Sequence, residues 1–583
     1  MKRTLAVLLL VALLAGGCAQ PTEAPPPAET LTPKPTPPPI LPSERKAADL
    51  VLINGKIITV DAKDSIAQAV AVRNGKIVKV GTDEEIRRFI DSQTEILDLK
   101  GKTVTPGLVD SHIHVMYYGG QFWEGFLNIR YPNTRSKTDL LRLVAEKAKV
   151  TPKGEWISGN QGFYAGGEET PDRWELDSVS PDNPVYLPHR GGQHVVANSY
   201  ALKLAGIDKN TPNPYGGVIE RHPVTKEPTG ILFHYPAEDL VRRIAAGWGE
   251  KTDEERMADV GRGQDLCLAA GYTSGQDVIV YSPKDVGIYK KVAENNGLKM
   301  RIYLMEYVSS EEAATNVLKI IKKPFKVGML TFGGWKLAVD GGGGADTMLM
   351  YDKTLRFAKN SYVFHDQETL NRIVSMFHKA GFQLAFHAMG DKAIDMAINA
   401  IEAALKETPR DNHRHRIEHL VFPTSQALER IKKLGIVVSL QPQWISFDAD
   451  FYRRKSDEKT MERFMPIKTM MEMGIPIAFG CDVPATIMLE PKWAFIGAVT
   501  RTTESGYTPA PQERISIKDA LRIHTMGSAY ASFEENIKGS IEEGKLADMV
   551  VWSHDLYSMP TNDLKDLTAE IVIVGGKIVY KQK

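Results

Sequence analysis

The sequence predicts an α/β fold: a TIM-like (β/α)8 barrel with a small β-sandwich domain formed from both chain ends. Three observations carry this. Apolar strand-like runs alternate with helical patterns through the middle of the chain. β-rich runs separated by Asn-Gly or Gly-Gly occur near both termini. His, Lys and Asp residues fall where successive barrel strands would finish. At 583 residues the chain is long enough for one large domain and a smaller one.

The chain opens on Met1-Lys2-Arg3, and an apolar run from Leu5 to Ala15 follows, of signal-peptide length and too short to span a bilayer comfortably. It ends in Leu14-Ala15-Gly16-Gly17-Cys18, which resembles a bacterial lipobox, with Ala15 where Leu is usual. Residues 1–18 therefore read as a lipoprotein signal peptide with Cys18 as the lipidation site; an ordinary secretory signal cut nearby is the alternative. Residues 19–46, with Pro26-Pro27 and Pro37-Pro38-Pro39, read as an extended tether. The expectation is an exported protein, anchored to a membrane on its extracytoplasmic side. Lys+Arg and Asp+Glu both total 72, so nothing in the net charge favours nucleic acid, and no nucleic-acid partner is expected. Cys267 and Cys481 could pair in an oxidising compartment but do not make a disulfide framework. Oligomeric state stays open, a homodimer included.

Folded sequence begins near Ala47. Leu50 to Ile53 and Lys56 to Thr59 flank Asn54-Gly55, Ala69 to Arg73 and Lys76 to Val80 flank Asn74-Gly75, and Ile571 to Val574 and Lys577 to Tyr580 flank Gly575-Gly576. Each reads as a hairpin. Residues 47–105 and 535–583 are thus assigned to one composite β-sandwich, and 106–534 to the barrel. Residues from about 117 to 260 lack clean alternation and read as insertions beside the barrel mouth. Runs such as Leu298 to Leu304, Phe382 to Phe386, Ile436 to Leu440 and Ile475 to Phe479 supply barrel strands, and Ile394, Ile398, Ile401 and Leu405 mark one face of a helix.

In a strand, residues two apart share a face, so His112 and His114 can offer two imidazoles to one metal. His413-Arg414-His415 repeats the spacing, but it follows the polar Asp411-Asn412 and reads as a solvated loop. Lys336, amid apolar strand residues, is costly unless paired or modified; a carbamate on its amine could bridge two metals. His387, His419 and Asp482 each end an apolar run, at the face where barrel enzymes work. Any one of these could be a satisfied core residue. The ordered set is hard to reach by accident.

With these residues the chain resembles the amidohydrolase superfamily, and within it amidohydrolase family 3, the branch that includes N-substituted formamide deformylases. Supporting stretches are His387-Ala388-Met389-Gly390-Asp391, Arg416-Ile417-Glu418-His419 and Gly539-Ser540-Ile541-Glu542-Glu543-Gly544. The resemblance implies two divalent metal ions, zinc foremost, as nitrogen and oxygen ligands without thiolate would also suggest. It implies that His112 and His114 hold the more buried ion, that His387 and His419 hold the other, and that carboxylated Lys336 bridges them. Asp482 would bind the buried ion and act as the catalytic proton shuttle. His194 would lie near the substrate. Asp391 is expected to be a helix N-cap, and Glu418 to point away from His419. Two departures from the family pattern bear on substrate preference: Asp346 stands where an Arg is frequent, and Cys481 where Ser is usual.

The expected reaction is metal-dependent hydrolysis of a carbon–nitrogen bond in an amide-like small molecule, with N-substituted formamides and N-acyl compounds as candidates. Trp335 and Trp444, with Trp123, Trp156, Phe163 and Tyr164, could line an apolar substrate pocket or belong to the core. The alternatives are a lactonase or esterase on the same metal pair, a mononuclear deaminase, and a non-catalytic ligand-binding surface lipoprotein. Gly390, where deaminases place a Glu, and the presence of Lys336 disfavour the deaminase.

Overall fold

The computed structural model describes residues 47–162, 170–192, 194–214 and 216–583. The segments expected to be a signal peptide ending at Cys18 and a tether, together with Phe163 and Tyr164, lie outside the described residues. Among the described residues no helix is long and apolar enough to cross a membrane.

Eight parallel strands follow one another in a single sheet: β1 (Leu108–Ile113), β2 (Tyr272–Val280), β3 (Arg301–Tyr307), β4 (Leu330–Ala338), β5 (Gln383–Ala388), β6 (Arg416–His419), β7 (Val437–Leu440) and β8 (Ile477–Phe479). This is a nearly closed TIM-like barrel. Every residue of β1, β6, β7 and β8 is buried, because helices cover the outer face and side chains fill the inner one. The helix Asp391–Glu407 shows the covering rule, since Ile394, Ile398 and Ile401 are all buried on its inner face.

The seam between β8 and β1 is closed by the chain just beyond β8. Asp482 N donates to His112 O at 2.7 Å, and Cys481 N donates to the Asp110 carboxylate at 3.0 Å. Gly480 permits this approach: a Cβ there would lie 2.4 Å from His112 N.

Two further sheets form outside the barrel; the first is built from N-terminal strands alone, and strands from both chain ends interleave in the second. In one the order is Lys76–Gly81, Ala69–Arg73, Leu50–Ile53, Glu95–Asp98. In the other, Met549–Trp552 from the C-terminal part pairs antiparallel with Thr103–Pro106. The Asn74-Gly75 and Gly575-Gly576 turns join paired strands. Asn54-Gly55 does not make the expected hairpin. Leu50–Ile53 pairs with strands of the first sheet and Lys56–Ile58 with strands of the second. Asn54, at φ 55°, donates its amide to Asp98 and its backbone N to Asp83, which turns the chain from one layer to the other.

Between β1 and β2 the inserted chain builds a five-stranded sheet, ordered Val218–Arg221, Pro228–Phe233, His194–Ala197, Val185–Pro188, Ile157–Ser158. Buried Arg130 ties this insertion to the loop after β8, donating to Gln161 O, Pro484 O and Thr486 O at 3.0–3.2 Å.

Candidate metal centre

The ends of β1, β4, β5, β6 and β8 deliver His112, His114, Lys336, His387, His419 and Asp482 to one cavity of about 760 Å³. His112, His114 and Asp482 each offer a ligand atom within 4.8 Å of the others. His114 Nε2 lies 3.0 Å from Asp482 Oδ1, and His112 Nε2 lies 3.4 Å from the same oxygen. The His387 and His419 rings are 4.5 Å apart, and His419 is 4.8 Å from the His112 ring. Asp482 reaches this position with φ at 58°.

Burial sets the protonation of the cluster. It pushes His112 and His387 down to about 4, with the Lys336 charge adding to the effect, and drives His419 well below its ordinary value. These imidazoles are neutral near pH 7, the state a metal ligand needs. Burial alone would raise Asp482, but the surrounding imidazoles, His112 first and then hydrogen-bonded His114, hold it well below the usual carboxylate range. Lys336 is only 1% exposed, and its Nζ has no hydrogen-bond partner. Burial lowers it to about 8 against the opposing pull of Glu418 and Asp482.

The structure corrects the expectation for Glu418. Its side chain points into the barrel and receives His112 Nδ1 at 2.6 Å. Both Glu418 and His419 serve the cluster because strand alternation breaks at the end of β6, where His419 has φ 75° and Leu420 φ 41°. Fully buried Arg416 donates Nε to Glu418 Oε1 at 2.5 Å and also bonds Ser111 O and Gln276. Burial would raise Glu418, but Arg416, then Lys336 and His112, keep it ionised well below its ordinary range. An ionised Glu418 requires the His112 proton on Nδ1, which leaves the Nε2 lone pair facing Asp482. Gln441 Oε1 plays the same part for His419, 2.8 Å from Nδ1. Asp340 accepts the backbone N–H groups of Leu349, Met389 and Gly390, and so fixes the loop that follows His387. Arg416 and Glu418 share the period-two pattern of an inward strand face, a signal available in the sequence; Gln441 and Asp340 carry none.

Trp444 lies flat on the His419 ring, 5.2 Å between centroids, and lines the cavity. His194 also lines it, stacked on His189 at 4.2 Å, and burial lowers His194 to about 3. Of the two readings open for Trp335, pocket and core, the structure shows the core and removes it from the substrate-binding candidates. Trp335 alternates with Lys336 on β4, points outward, and stacks on Phe377 at 4.8 Å in the layer between barrel and helices. Trp123 is 40% exposed and Trp156 packs in the core of the insertion.

Two further expectations are corrected, and the cysteine pairing left open is settled. His413 and His415 are buried: His415 bridges His378 at 2.8 Å and Leu384 N at 3.0 Å, at the end of the barrel opposite the cluster. Asp391 is the first helical residue, with Gly390 as N-cap, and it accepts Tyr351 N at 2.9 Å. Cys267 and Cys481 are both buried free thiols. Asp346, at the position where relatives often differ, pairs with Lys455 at 2.6 Å.

Residues 95–580 match the amidohydrolase family. Protein LONG AFTER FAR-RED 3 of Arabidopsis thaliana is 31% identical over 552 residues, covering 91% of this chain and 92% of its own. The N-substituted formamide deformylase of Arthrobacter pascens is 28% identical over 546 residues, covering 92% and 98%. The crystal structure of a metal-dependent hydrolase from Pyrococcus horikoshii superposes with a TM-score of 0.70 at 24% identity, covering 88% of this chain and 99% of that one.

Proposed function

Because this chain belongs to amidohydrolase family 3 and is a hydrolase, we propose that it cleaves the carbon–nitrogen bond of a small amide-like molecule, using two divalent metal ions, zinc foremost. The observation that carries this reading is the convergence of four imidazoles, Asp482 and the unpartnered Lys336 amine in one cavity. His112, His114 and Asp482 would hold one ion, and His387 and His419 the other.

The residues fit such a centre. A bare ammonium at Lys336 has no hydrogen-bond partner there, which is costly in a buried place. Reaction of the neutral amine with carbon dioxide would release a proton and leave an N-carboxylate whose oxygens can bridge two cations. When bound, the metals would supply Lewis acidity and bring the ionisation of a water near neutral pH.

The chain's own groups do the rest. Glu418 and Gln441 fix the ring orientations of His112 and His419. Asp482 Oδ1, beside His114 Nε2, takes the proton of the attacking water and returns it to the departing nitrogen. Neutral His194 and the indole of Trp444, whose Nε1 is held by Thr486 at 2.9 Å, shape the cavity around the acyl group. N-substituted formamides are the first substrates to try, given the named activity of the Arthrobacter relative.

A panel of N-substituted formamides, longer N-acyl amines and matched esters and lactones tests the reading. Turnover of amides, abolished in Asp482→Asn, is expected. Turnover confined to esters or lactones would replace it with an esterase assignment. We also propose lipid anchoring at Cys18, from the sequence of residues 1–18 alone; incorporation of labelled palmitate should disappear in Cys18→Ala.

A further inference from the structure

The cavity continues past the metal-ligating cluster to a wall of Tyr117, Phe126, Tyr235, Trp248 and Tyr281, with Glu238 set among them. Tyr117 stands in the helix Val115–Gly120, less than one turn after His114, so the aromatic wall begins beside the cluster. Its ring lies 6.1 Å from Trp248 and 6.2 Å from Tyr281; Tyr235 stacks on Tyr281 at 5.8 Å, and Phe126 lies 5.1 Å from Trp248. The π-faces of such rings attract cations.

Glu238, in the helix His234–Arg242, is 6% exposed, and its Oε1 has no hydrogen-bond partner. The cations around it are committed elsewhere. Arg242, one turn along the same helix, donates to Tyr235 Oη at 2.6 Å, to Asp239 and to Trp248 O. Arg243 pairs with Asp239, Lys251 with Asp259 at 2.7 Å, and Arg256 with Asp285 at 2.6 Å. Among the described residues Glu238 therefore has no ion-pair partner. A carboxyl held like this is costly when ionised. Burial raises it to about 8, with Arg242 opposing and Asp239 reinforcing. A cation entering the aromatic wall would supply the missing counter-charge.

We propose that Glu238 and its aromatic surround form a subsite for an ammonium or quaternary ammonium group, so that the preferred amide substrates carry a positively charged arm. The inference rests on the reading that this cavity receives the hydrolase's substrate. It also assigns work to the insertion between β1 and β2, which contributes Glu238, Tyr235 and Trp248 and through them would set specificity.

Calorimetric titration of the full chain with choline, and with its neutral isostere 3,3-dimethylbutan-1-ol, tests the subsite without requiring turnover. Choline should bind about tenfold more tightly than the isostere. In Glu238→Gln, which keeps size and removes the charge, the ratio should fall severalfold, to what the rings alone supply. Equal affinities in the unaltered protein, or a preference undiminished in the variant, would overturn the proposal. The first comparison uses no variant, so misfolding cannot mask it. Amide turnover without choline preference would leave the hydrolase reading standing and remove the subsite. Choline preference with no amide turned over would do the reverse.

Discussion

Replacing Glu418 by Gln should damage the proposed metal centre through the proton on His112. Glu418 Oε2 faces His112 Nδ1 at 2.6 Å and Arg416 Nη2 at 2.9 Å, and Oε1 faces Arg416 Nε at 2.5 Å. All three neighbours are donors in the arrangement derived above, so a carboxamide must aim its own N–H at one of them whichever way it is turned. If it faces His112, the imidazole has to accept at Nδ1, and its proton moves to Nε2, the nitrogen 3.4 Å from Asp482. If it faces Arg416, a buried guanidinium loses its charged partner. Disturbing the partner of a metal-ligating His costs about 10- to 100-fold in metal affinity. Breaking a buried ion pair by removing one charge costs up to about 3–5 kcal/mol. Competition with a chromophoric chelator would read the affinity, and urea unfolding the stability. A Glu418→Gln protein that matched the unaltered one in both would refute the role given to this network.

The remaining predictions address the scaffold and pH. Gly480→Ala places a methyl 2.4 Å from His112 N, so it should cost about 1–3 kcal/mol and loosen the barrel seam, seen as a lower unfolding midpoint; an unchanged midpoint would contradict the closure described. Trp335→Leu should lower stability by a few kcal/mol while leaving metal affinity within about twofold, because the ring packs on Phe377 outside the cavity; loss of affinity at unchanged stability would place it back in the site. For the metal-free protein, His112 and His387 have folded values near 4, below the unfolded value of about 6.5. The unfolded chain then binds more protons between those limits, so stability should fall as pH drops from about 6.5 toward 4. Melting temperatures across that range should decline less steeply in His387→Asn, and an identical slope would count against the buried neutral imidazole.

The residues proposed as metal ligands are legible because each falls at or near the end of an apolar strand and the barrel brings all strand ends to one face. Less was legible where tertiary context overrides a local rule. Alternation predicted opposite directions for Glu418 and His419, but a left-handed φ at His419 lets both serve the cluster. His413-Arg414-His415 looked solvated beside Asp411-Asn412, yet His415 is buried because its ring satisfies Leu384 N and His378. Residue type alone leaves Trp335 open between pocket and core; its strand neighbour Lys336 points inward, and the period of two then sends the indole outward. Asn54-Gly55 has the composition of a hairpin turn, but the flanking strands find partners in different sheets. Glu238 had no signature at all, since nothing in the sequence tells which carboxylates end up buried without a cation.

Elemental analysis of the purified full chain, reconstituted with zinc and bicarbonate, tests the proposed binuclear centre most directly. About two ions per chain are expected, falling to one or none in Lys336→Ala and restored in part by a small added carboxylate. A single ion per chain that is indifferent to Lys336→Ala would contradict the bridged centre, and no retained metal would contradict the metal-dependent hydrolase altogether.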